Sequence, residues 1–160
     1  MHLRQVVPAD LPAILEIEHA GFTAAEAGTP EAYAARIQAF PDTFLVAEER
    51  DTLLGFVCGP IVADDLVADW MYDQAPTNLP TGGHQMILTI AVAPTARGRG
   101  IGSRLLSAFA ESATARHCQS IALTCLADRI PFYQKNGYQV VGVSTSQHAG
   151  ETWYDLVNEL

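Results

Sequence analysis

Cysteine is scarce and badly placed for cross-linking. Cys58, Cys118 and Cys125 are the only three, an odd number without metal-type spacing. That argues against a disulfide framework or a metal site and for small reduced hydrophobes in a reducing compartment. Charge is also sparse, at 17 % of residues against 49 % hydrophobic, so the chain can bury a real core and disorder is not expected. No apolar run approaches the roughly 20 residues of a membrane-spanning helix. Pro8 and Asp10 stand where a signal peptide would need apolar residues. The expectation is a soluble, cytoplasmic chain with no membrane partner, folded as one domain over residues 1–160.

Basic side chains are few and unevenly placed. Residues 1–96 hold only Arg4, Arg36 and Arg50 against thirteen Asp and Glu, whereas residues 97–135 hold six basic groups against Glu111 and Asp128. With a net charge of −9, the first stretch would repel nucleic acid and, gathered around a cleft, attract a cation. The second is a candidate anion site. Solvated surface is the alternative for both.

Along the chain, His2 to Val7 alternates like a strand, and Asp10 is expected to cap a helix carrying Leu11, Ile14, Leu15 and Ile17. Thr23 with Glu26 has capping-box spacing, and Thr29-Pro30-Glu31 opens a second helix reaching about Phe40. Thr43 to Glu48 and Leu53 to Val62 form a hairpin around Arg50-Asp51-Thr52, with Gly59-Pro60 ending or bulging the second strand. Ala63 to Gly83 lacks periodicity and reads as a long loop. Met86 to Ala93 is a continuous apolar strand, then a glycine-rich turn and a helix through Leu105, Leu106, Phe109 and Ala113. A strand at Ser120 to Leu126, a short helix at Ile130 to Asn136, and strands at Tyr138 to Val143 and Thr152 to Val157 complete the chain.

The turn Arg97-Gly98-Arg99-Gly100-Ile101-Gly102-Ser103 stands where a buried strand hands over to a helix. Its glycines let backbone approach a ligand, and the first amides of a helix lie at the positive end of its dipole, a setting suited to pyrophosphate. Arg97, Arg99 and Arg104 add charge. A dinucleotide fingerprint would need glycine at Ser103, and a P-loop would need lysine after the last glycine. A plain tight turn is the bland alternative.

Arg97, Gly100 and Gly102 after the strand Ile90-Ala91-Val92 resemble the coenzyme A pyrophosphate loop of the GNAT acetyltransferases, and the order of elements resembles that fold over almost the whole length. The resemblance implies an α/β (α+β) fold with a mixed, mostly antiparallel sheet of about seven strands flanked by about four helices. Within the superfamily the chain looks most like the arylalkylamine (serotonin-type) N-acetyltransferases and their bacterial relatives, through Glu16 to Phe22, Leu123-Thr124-Cys125, Ile130-Pro131-Phe132-Tyr133, Asn136-Gly137-Tyr138 and Trp153-Tyr154.

The resemblance further implies acetyl-coenzyme A as co-substrate, held by the backbone of Ile90, Ala91 and Val92 and by Arg97 to Ser103, with Tyr133 as general acid for the leaving thiolate. Transfer to a primary amine also needs an acceptor for the amine proton, since such an amine is mostly charged at neutral pH. The strand positions that hold histidines in the vertebrate enzymes hold Met86 and Leu88 here. His84, on the same strand face, is the first candidate base, ahead of His19, Glu26, Asp64, Asp65, His148 or a water chain. Phe22, Glu26, Trp70 and His84, with Tyr72, are the expected acceptor-pocket residues, although Trp70 could equally pin a loop. The function expected is acetyl transfer to a small amine by direct attack in a ternary complex, in a monomer or homodimer without a metal. Acetylation of a protein amino terminus or lysine, or a non-catalytic acetyl-coenzyme A sensor, are the alternatives.

Overall fold

The computed structural model describes residues 1–160. In chain order the strands are β1 (His2–Gln5), β2 (Phe44–Glu49), β3 (Thr52–Cys58), β4 (Ile61–Val62), β5 (His84–Ile87), β6 (Thr89–Val92), β7 (Ser120–Cys125), β8 (Gln139–Val143) and β9 (Tyr154–Glu159). The helices are α1 (Leu11–Gly21), α2 (Pro30–Ala39), α3 (Trp70–Asp73), α4 (Ile101–Ala115) and α5 (Ile130–Lys135).

Local signals set several of these. Thr29 Oγ1 accepts from the Ala32 amide at 3.1 Å and starts α2 with Pro30 in its first turn. Arg50 and Asp51 both take positive φ, so β2 and β3 close through a tight hairpin turn. Asp10 behaves differently from expectation. Its carboxylate does not cap α1; it accepts from the Val7 amide at 2.8 Å and pairs with Arg4 at 2.8 Å. Arg4 also reaches Glu48 at 2.9 Å, which ties β1 to β2 and to the entry of α1.

Two sheets result, in the orders β1-β2-β3-β6 and β4-β5-β7-β9-β8, and every pair is antiparallel except β5 with β7. Alternation along β3 separates two cores. Phe56 and Cys58 face α1 and α2 with Val46, Met86 and Leu88, whereas Val57 faces α4 with Leu105 and Phe109.

Nine strands replace the expected seven because two apolar runs each serve both sheets. Leu53 to Val62 breaks at Gly59-Pro60 into β3 and β4, and the run through Met86 divides around Leu88 into β5 and β6. The break is a close backbone crossing: the Leu88 amide donates to the Cys58 carbonyl and the Met86 amide to the Pro60 carbonyl, both at 2.8 Å. A Cβ on Gly59 would lie 1.8 Å from the Met86 carbonyl oxygen. The fully buried Gln85 amide fastens the crossing, donating to the Gly59 and Met86 carbonyls at 2.8 Å each. The fifth helix, α3, lies within the stretch read as loop.

Candidate functional site

Beyond Ile87 and Leu123 the parallel pair β5 and β7 ends. β6 then turns toward β3, while Thr124 and Cys125 pair only with β9. Two strand edges are left facing each other across a wedge, a cavity of about 570 Å³ whose lining includes Leu88, Thr89, Ile90, Thr124 and Cys125. The divergence after Leu88 therefore makes the site.

At the end of β6 the chain runs through a turn at Pro94–Ala96 into the glycine-rich segment and α4. Gly98 and Gly100 take φ of 79° and 75°, and a Cβ on either would meet nothing within 4 Å. Backbone conformation, not crowding, is what requires glycine there. The first amide of α4 with a backbone partner is that of Arg104, which donates to the Gly100 carbonyl at 3.1 Å, so those of Ile101, Gly102 and Ser103 are free. Arg97 and Arg104 are exposed beside them. Arg99 is already engaged, in an ion pair with Glu49 at 2.8 Å. The basic segment thus has the free amides and exposed guanidinium groups that suit an anion, with Arg99 partly neutralised.

Tyr133, on α5, lines the cavity. Its ring is wedged edge-on between Phe132 and Tyr138, with centroids 5.1 and 5.9 Å away, so the side chain has little freedom. Burial, followed by the nearby Cys125 thiol, holds its phenol well above the usual range. The group is a protonated donor at neutral pH.

The lining also includes Phe22, Glu26 and Tyr72, with the Tyr72 hydroxyl 3.5 Å from Thr124 Oγ1. Trp70 is outside the lining and 40 % exposed; within α3 it is Tyr72 and Asp73 that reach the cavity, while Met71 enters the core. His84 is also outside the lining, hydrogen-bonded through Nδ1 to Ser120 Oγ at 2.7 Å. It precedes the cavity residue Ile87 by three strand positions, about 10 Å at ~3.3 Å per residue. His19, Asp64 and Asp65 are exposed and outside the lining. His148 does reach the site: its Nε2 lies 3.4 Å from the Glu26 carbonyl, and its own carbonyl accepts from Trp153 Nε1 at 2.8 Å. The loop between β8 and β9 thereby touches the loop after α1 across the cavity mouth.

Two lining side chains not singled out in the sequence, Glu18 and Arg36, are joined behind the cavity surface by the buried Tyr33. Glu18, 2 % exposed, accepts at Oε2 from the Tyr33 hydroxyl at 2.5 Å and from the Gly28 amide at 3.0 Å, while Oε1 has no partner. Burial raises its carboxyl above the ordinary value against the pull of Tyr33 and Gly28. Arg36, also 2 % exposed, stacks over the Tyr33 ring at 4.6 Å. An acid on the same helix face as Ile14 and Ile17 is the one signal that could have revealed Glu18.

The sequence model of the acetyltransferase (GNAT) family matches residues 11–138. The chain belongs to this family. No curated protein matches the sequence closely enough to add to that. Among solved structures, the fold is similar to a GNAT-like decarboxylase, GphF, in complex with isobutyryl-CoA, with TM-score 0.86, 15 % identity and 99 % of both chains covered. It is similar to Chaetomium thermophilum Naa20 in complex with a bisubstrate analogue, with TM-score 0.77 and 25 % identity over 100 % of this chain and 87 % of that one. It is also similar to a ribosomal-protein-alanine N-acetyltransferase from Brucella melitensis, with TM-score 0.70, 21 % identity and 100 % of both chains covered.

As a GNAT acetyltransferase, the chain uses acetyl-coenzyme A, and its residues fit that co-substrate. Free amides at the start of a 15-residue helix, two left-handed glycines and flanking guanidinium groups suit a pyrophosphate. The unpaired edge of β6 offers backbone groups to an extended arm bearing amides. No helix of the chain is long and apolar enough to cross a membrane.

Proposed function

We propose that the acceptor is a small primary amine with an apolar or aromatic body, arylalkylamine-like in shape, acetylated by direct attack in a ternary complex. The observation that carries this reading is the composition of the acceptor wall: Phe22, Tyr72 and Trp153 stand among Glu18, Glu26, Asp69 and Asp73. The contact between His148 and Glu26 narrows the mouth above them. Aromatic faces and carboxylates together attract an organic cation and receive its apolar part.

Acetyl-coenzyme A, when bound, supplies the acetyl group as a thioester. The amides of Ile101, Gly102 and Ser103 with Arg97 hold its diphosphate, and the edge of Ile90, Ala91 and Val92 orients its arm. The acceptor enters as an ammonium ion and must lose one proton to become nucleophilic. Glu18 is the assigned acceptor of that proton, at the unpartnered Oε1, because burial has raised its proton affinity above that of an ordinary carboxylate. When the nitrogen–carbon bond forms and the carbon–sulfur bond breaks, Tyr133 gives its hydroxyl proton to the departing sulfur.

A peptide amino terminus is the second reading, favoured by the similarity to a ribosomal-protein-alanine N-acetyltransferase. One thiol-release assay with acetyl-coenzyme A separates the two, using arylalkylamines, polyamines, aminoglycosides and peptides as acceptors. Turnover of small amines is expected. Activity confined to peptides would overturn the small-amine reading.

A further inference from the structure

Arg36 is a buried cation without a counter-ion. No Asp or Glu oxygen lies within 4.0 Å of it, although it is 2 % exposed. Its Nη1 makes both of the guanidinium's hydrogen bonds, to the neutral Thr89 Oγ1 at 3.3 Å and the Cys58 sulfur at 3.9 Å, and Nε has none. Burial holds the Cys58 thiol up at about 11, so it carries no compensating charge at neutral pH. Leaving a charge buried and unpaired is strongly unfavourable, and an anion that enters the cavity would relieve it.

The position says what kind of anion. Thr89 begins β6 beside the wedge, so Arg36 borders the place where transfer would occur. Glu18, which also lines the cavity, has a buried carboxylate oxygen without a hydrogen-bond partner. Tyr33 touches both, its ring face against the guanidinium and its hydroxyl on Glu18, so the opposite charges feel each other without forming a direct ion pair. A ligand that places an amine on one and an anion on the other completes both. An α-amino acid carries the two groups on a single carbon.

Resting on the small-amine reading above, we propose that the acceptor is a free α-amino acid with an apolar or aromatic side chain, its carboxylate held by Arg36 and its amine facing Glu18. A guanidinium is suited to a carboxylate because it offers paired donors in one plane. Phe22 and Tyr72 receive the side chain, and the amine is left beside the open edge of β6.

Acceptors in matched pairs test this: phenylalanine against phenethylamine and tryptophan against tryptamine, with wild type and Arg36→Met. In wild type the amino acid should exceed its amine in kcat/KM by at least about tenfold, as expected when a polar group built for a ligand loses its partner. Arg36→Met should bring that ratio to about one, mainly through KM for the amino acid, with acetyl-coenzyme A affinity kept. 3-Phenylpropionate, which lacks the amine, should inhibit wild type competitively against the acceptor while 3-phenylpropanol does not, a readout independent of how the variant folds. Amines used as well as amino acids, or equal inhibition by the acid and the alcohol, would overturn the carboxylate site and leave small-amine acetylation standing. An equal loss on both acceptor types in a folded Arg36→Met would overturn it too, placing Arg36 at the acetyl group. No turnover of any small acceptor would sink both readings.

Discussion

The Tyr33 hydroxyl donates to Glu18 Oε2 at 2.5 Å inside the cavity wall. This bond holds one carboxylate oxygen while the other has no partner, and it joins α2 to α1 at the edge of the cavity. Tyr33→Phe removes the donor and leaves Oε2 with the Gly28 amide alone. Loss of one hydrogen bond to a buried charged group should cost about 1.5–3 kcal/mol in denaturant unfolding. It should also raise the Glu18 carboxyl further, because the bond favours the ionised form, so the acid limb of kcat/KM moves to higher pH.

Glu18→Gln keeps an oxygen able to accept from Tyr33 and Gly28 but cannot take a proton. The variant should unfold at nearly the wild-type denaturant midpoint while kcat falls by about 10²–10⁴. Wild-type activity should rise with pH through a carboxyl value displaced above the usual ~4.3, and that limb should vanish in Glu18→Gln. A variant that retains the limb would show that another group takes the proton.

Tyr133→Phe should lower kcat by a similar factor of about 10²–10⁴ with acetyl-coenzyme A affinity nearly unchanged. Because burial raises the Tyr133 phenol above its ordinary value, deprotonation of this group should produce no fall in wild-type kcat below about pH 10. Steady-state rates over that range, checked by calorimetry for cofactor binding, decide the point.

Arg4 and Asp10 predict an acid limit to stability. The hydrogen bond from Arg4, helped by the Val7 amide, holds the Asp10 carboxyl below its ordinary value. A depressed carboxyl contributes stability that is complete above the unfolded value of about 3.9 and is lost as pH falls through the folded one. Asp10→Asn should therefore be destabilised at pH 7, by about 1–3 kcal/mol, and lose less than wild type between pH 4 and 2. Urea unfolding at several pH values measures both.

Gly59 tests the crossing that opens the wedge. With its would-be Cβ 1.8 Å from the Met86 carbonyl oxygen, Gly59→Ala has to displace backbone at the junction of the two sheets. A loss of more than about 3 kcal/mol is expected, in the range of severe backbone and packing lesions. An unfolding midpoint equal to wild type would contradict this account of the crossing.

Much of this was legible because the signals are local. The cap at Thr29, the hairpin turn at Arg50 and Asp51 and the glycines before α4 each depend on a few adjacent residues. Tyr133 was found through its place after Pro131 and Phe132, and it does line the cavity. Strand division was not legible: a run buried on both faces reads as one strand, and only its partners reveal that Met86 serves one sheet and Ala91 the other. Asp10 misled because its spacing fits a helix cap, whereas the distant Glu48 and nearby Arg4 decide its role. Glu18, Tyr33 and Arg36 went unread because they sit at ordinary helical spacing, and only the packing of α1 on α2 joins them.

In the function proposed above, the helix start after Gly100 and the wedge beside β6 hold acetyl-coenzyme A with its sulfur at Tyr133, and a crystal structure with coenzyme A decides this. The diphosphate is expected on the amides of Ile101, Gly102 and Ser103 and the sulfur within about 3.5 Å of the Tyr133 hydroxyl. A diphosphate bound elsewhere, or a sulfur on the far side of the cavity from Tyr133, would contradict it.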